Sequence, residues 1–132
     1  MAEEKNVEVY PWNIGVLNQL KELKAKNQIP HAIALVSRPG WGEDQLLRIV
    51  CGHLIGFDRG FDVSEHATGN LHWLAPEGAV IKVDQVRDAI SFAYKTNQSE
   101  HFKVIAISDA HLLNVNAANA LLKIVEEPPS GT

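Results

Sequence analysis

Apolar positions along the chain recur in two rhythms, and their alternation sets the expected architecture. Ile14, Leu17, Leu20 and Leu23 fall on one helical line, while Lys21, Glu22, Lys24 and Lys26 lie mostly off it. This spacing predicts an amphipathic helix, entered through Tyr10-Pro11-Trp12 and capped by Asn13. Asn27-Gln28-Ile29-Pro30 breaks that helix, and the unbroken run His31-Ala32-Ile33-Ala34-Leu35-Val36 then reads as a buried strand over residues 32–37. A second helix is expected from Glu43 to about Leu54, ended by Gly56, followed by a polar connector over 56–70. A short strand at 71–75 is stopped by Pro76. Beyond a turn at 77–79, Val83, Val86, Ile90 and Ala93 form one face of a third helix, with Asp84 in its first turn. Residues 95–102 read as a polar loop. The second long apolar run, 103–108, is a strand closed by Asp109. Ala117, Ala118, Leu121, Ile124 and Val125 stripe a last helix over 116–127, which Pro128-Pro129 halts. Strands alternating with helices predict an α/β fold of three layers, a parallel sheet with helices on both faces.

Bulk properties narrow the chemistry. A length of 132 residues is one domain's worth, and the formal charge of -4 argues against binding nucleic acid by net charge alone. Arg38, Lys82, Arg87 and Lys95 are scattered basic residues that form no patch in the sequence. Cys51 is the only cysteine, which excludes an internal disulfide and a thiolate zinc site. Its apolar helical surroundings point to a small buried thiol. His53 and His66 lack the spacing of metal ligands. No apolar run approaches the ~20 residues of a membrane span, and the acidic start is unlike a signal peptide, so a cytoplasmic protein without a membrane partner is expected.

One turn carries chemistry. Ser37-Arg38-Pro39-Gly40-Trp41-Gly42-Glu43-Asp44, between the first strand and the second helix, has the outline of a phosphate loop, G-x-x-x-x-G-K-[ST]. In such a loop glycines let backbone N–H groups close on the phosphates, Lys holds the terminal phosphates and a hydroxyl binds Mg²⁺. Here Gly40 and Gly42 remain, Ser37 replaces the first glycine, Glu43 replaces Lys and Asp44 replaces Ser/Thr. Two carboxylates then face the space a triphosphate would fill. A unit charge at ~4 Å is worth about 4 kcal/mol at an effective dielectric near 20, and reversing its sign turns attraction into repulsion. A micromolar affinity, roughly 8 kcal/mol, would not survive that change. Read without its context, the same stretch is an ordinary strand-to-helix turn.

The run Ala117-Ala118-Asn119-Ala120-Leu121-Leu122-Lys123-Ile124-Val125-Glu126-Glu127-Pro128-Pro129 resembles the helix-plus-proline signature of the bacterial DNA polymerase III clamp-loader ATPases, an AAA+ P-loop family. Asn119, Leu121, Leu122, Lys123, Glu126, Glu127, Pro128 and Pro129 carry it. Tyr10-Pro11-Trp12, His31-Ala32 and Ile81-Lys82-Val83-Asp84-Gln85-Val86-Arg87 agree with the same family. The resemblance covers the chain from Tyr10 onward. It implies a polar extension over 1–9 and an incomplete AAA+ domain over 10–132, with the later core strands, lid and collar absent. The chain thus reads as the amino-terminal part of a longer protein. A further core strand would neighbour residues 32–37 in the family's sheet, so an unpaired edge and association between copies are expected.

The resemblance also implies roles. In hydrolysing relatives the second long strand ends in Asp-Glu, the Asp assisting Mg²⁺ and the Glu orienting water; Ser108 and Asp109 occupy those places here. Both halves of the ATP site are altered, as in the family's non-hydrolysing member. For this chain neither ATP nor zinc is expected as a cofactor, and no intrinsic activity is expected. The family's non-hydrolysing member acts through its neighbours. It is the partner of gamma/tau-type and delta-type subunits in loading the sliding clamp onto primed DNA, within a DNA-directed DNA polymerase holoenzyme. An active gamma/tau-like ATPase is the competing reading, and it needs Lys and Ser/Thr at positions 43 and 44. A metal site on Glu43, Asp44 and Asp109 is a third, but their spacing matches no ligand loop. The connector at 56–70 is shorter than the four-cysteine zinc module many relatives carry there.

Overall fold

A computed structural model describes residues 9–56, 69–95 and 101–132 of the chain. Most of the N-terminal extension, the connector with His66 and the middle of the 95–102 loop lie outside the described residues. Four α-helices and a two-stranded parallel sheet are formed: α1 (Ile14–Ala25), α2 (Glu43–Leu54), β1 (Leu71–Leu74), α3 (Val83–Tyr94), β2 (Val104–Ile107) and α4 (Val115–Glu126). The chain divides into two compact units, Met1–Gly69 and Asn70–Thr132.

In the first unit α1 packs on α2. Leu17 and Leu20 of α1 are buried, as are Leu46, Ile49, Val50, Cys51 and Leu54 of α2. Ile14, expected on the buried face, stays exposed. Lys24 Nζ donates to the carbonyl of His53 at the end of α2, where the helix dipole favours a cation. Gly56 adopts a φ of +101° and lets the chain leave α2 where a side chain would resist. Asn13 does not cap α1. Its backbone is helical and its side chain, buried, turns to the carbonyl of Trp41 instead.

The run at 32–37 is the main correction. It forms no strand, and residues 32–38 lie in neither helix nor sheet. Val36 is 94% exposed and Ile33 42%. An apolar run becomes a strand only where a neighbour supplies ladder hydrogen bonds, and among the described residues none pairs with it.

The second unit is a β–α–β arrangement. β1 and β2 pair in parallel, Leu71 opposite Val104 through Leu74 opposite Ile107, and α3, which joins them in sequence, contacts both. Gln85 ties the start of α3 in place. Its Oε1 accepts the N–H of Lys82 at 2.9 Å and its Nε2 donates to the carbonyl of Ala75 at 2.7 Å. Leu74, Ile81, Val86, Ala89 and Ala117 form the core, with Leu121 and Ile107 packed against it. α4 packs on α3 and starts one residue earlier than expected, because Asn114 caps it by accepting the N–H of Ala117 at 2.8 Å. It ends at Glu126, ahead of the two prolines. Val125, expected in the buried stripe, is exposed.

Candidate functional site

The glycine turn is built by backbone geometry that only glycine adopts at low cost. Gly40 has φ +83° and Gly42 φ +79°, and Gly42 is the N-cap of α2, its carbonyl accepting the N–H of Leu46 at 2.9 Å. A methyl group added at Gly42 would run into the Tyr10 ring, 2.6 Å from its Cε2. Tyr10 stacks on Trp12 with centroids 4.9 Å apart, and Trp12 meets Trp41 edge-on at 5.7 Å. Trp12 Nε1 donates to the carbonyl of Trp41 at 2.6 Å, and Asn13 Nδ2 reaches the same oxygen at 3.5 Å. The aromatic entry segment therefore holds the turn, a role beyond the packing of the helix entry that the sequence suggested. The signal was Trp41 itself, an aromatic inside a glycine turn.

Glu43 and Asp44 take separate partners. The Gly40 N–H donates to Glu43 Oε1 at 3.2 Å. Backbone N–H groups hold the Glu43 carboxyl below the usual carboxylate range, its own first and then that of Gly40, with Trp41 adding less. Asp44 lies along α2 and pairs with Arg48, Oδ2 to Nη2 3.2 Å. The expectation that both carboxylates face an open phosphate space is therefore corrected. Glu43 folds back on the turn and Asp44 pairs along its own helix. Ser37 Oγ donates to the carbonyl of Arg38 at 3.2 Å.

In the second unit Ser108 and Asp109 stand at the carboxyl end of β2, the edge where parallel sheets keep their chemistry. Ser108 Oγ donates to Asp109 Oδ2 at 3.2 Å, and Asp109 holds the left-handed conformation at φ +57°. That conformation is uncommon outside glycine, though Asp tolerates it better than most residues. On α4, Leu121 packs against the core, whereas Asn119, Leu122, Lys123, Glu126 and Glu127 are exposed and Pro128 and Pro129 half-buried. Most of the signature is therefore not spent on the core. Among the described residues no three His, Cys, Asp or Glu side chains gather as a metal site, and no helix is long and apolar enough to cross a membrane.

Residues 12–132 match the protein family described as DNA polymerase III, delta subunit. Several relatives found alongside it carry the name of the delta-prime subunit of DNA polymerase III. The chain belongs to the DNA polymerase III delta-prime family. It is 33% identical over 138 residues to DNA polymerase III subunit delta' of Pseudomonas aeruginosa, covering 95% of this chain and 41% of that protein. To the delta' subunit of Yersinia pestis it is 34% identical over 139 residues, 93% of this chain and 40% of the relative. A shorter likeness, 42% over 48 residues, joins it to DNA polymerase III subunit gamma of Buchnera aphidicola, covering 36% of this chain and 13% of that subunit. The chain thus spans about two-fifths of the length of the delta-prime relatives it matches.

Proposed function

We propose that this chain is part of a non-hydrolysing delta-prime subunit of the bacterial clamp loader, with residues 10–132 contributing the first part of a three-layer AAA+ P-loop domain. The observation that carries the reading is Glu43. It stands where a phosphate loop needs Lys, and its carboxylate rests on the Gly40 N–H. Ser37, Gly40, Gly42, Glu43 and Asp44 occupy the places of a phosphate loop in the first unit, and Ser108 and Asp109 occupy the places of the metal- and water-handling pair at the end of β2 in the second, so each is a degenerate counterpart of part of a nucleotide site. The first lacks the cation and the Mg²⁺ hydroxyl, and the second lacks the metal-assisting carboxylate. Function then rests on surfaces that engage gamma/tau-type and delta-type subunits, and through them the sliding clamp and primed DNA. Val115 and Leu122, seven residues apart on one line of α4 and both exposed, support such a surface.

Titration of a fluorescent ATP analogue with Mg²⁺ tests the reading. No saturable signal is expected, and micromolar binding would instead support the active gamma/tau-like ATPase.

A further inference from the structure

We draw no further inference here: the strongest candidate, the exposed apolar run over residues 32–37 ahead of the glycine turn, with Ile33 and Val36 uncovered, carries nothing because nothing in the structure shows what covers it.

Discussion

Glu43 shows how one side chain can be legible in type and hidden in orientation. Its identity at the lysine position is plain from the spacing of Gly40 and Gly42. Whether it projects outward or folds back depends on the positive φ values of those glycines and on the Trp41 peptide, which no residue pattern encodes. The contact has a sign in pH. Its backbone donors lower the folded pKa of Glu43 from an ordinary 4.5, its own N–H first, Gly40's next, against a raising effect of desolvation. The stability it contributes is therefore fully present above pH 4.5 and is lost as pH falls through the lowered folded value. The melting-temperature difference between wild type and Glu43→Gln should shrink on acidification across that window. The Asp44–Arg48 pair is common to both proteins and cancels in the difference, so a gap that is constant or widens toward acid contradicts the contact. Cys51, expected to be a small buried thiol, is buried on α2. Burial pushes its thiol up to about 12, far from thiolate chemistry at neutral pH.

At the scale of elements, helices were more legible than strands. The 3.6-residue rhythm is local and located α1, α2 and α3 within about a residue, because each helix satisfies its own backbone. The run at 32–37 had the composition of a buried strand, but a strand is completed by a neighbour, and residues 32–38 are outside any sheet here. β2 was found because β1 pairs with it along its whole length. Lys103, just before β2, was an unremarked lysine in sequence. In the fold it is buried, donating from Nζ to the carbonyls of Phe92 and Lys95 at the end of α3. The last helix was expected from residue 116, just ahead of the apolar stripe, whereas α4 starts at Val115 because Asn114 accepts the Ala117 N–H. Asn114→Ala should destabilise the protein by about 1 kcal/mol, while Asn116→Ala should change stability by less than about 0.5 kcal/mol. Urea denaturation checks the pair, and equal effects would remove the cap assigned to Asn114.

For the whole molecule, the exposed apolar residues of α4 and the exposed apolar run before the glycine turn pose the same question: what covers them. Ile33, Val36, Val115 and Leu122 are all exposed, and residues 32–38 lie outside any sheet. The 132-residue chain should therefore associate with itself as concentration rises in sedimentation velocity. A strictly monomeric sample that melts in one cooperative transition would contradict this. The central claim is narrower, that a turn shaped for phosphate receives none. Its most direct test is a ¹H–¹⁵N titration of the wild-type chain with millimolar MgATP, read at the amides of Gly40, Trp41 and Gly42. The account predicts that these resonances stay in place, and a saturable movement of all three would contradict it.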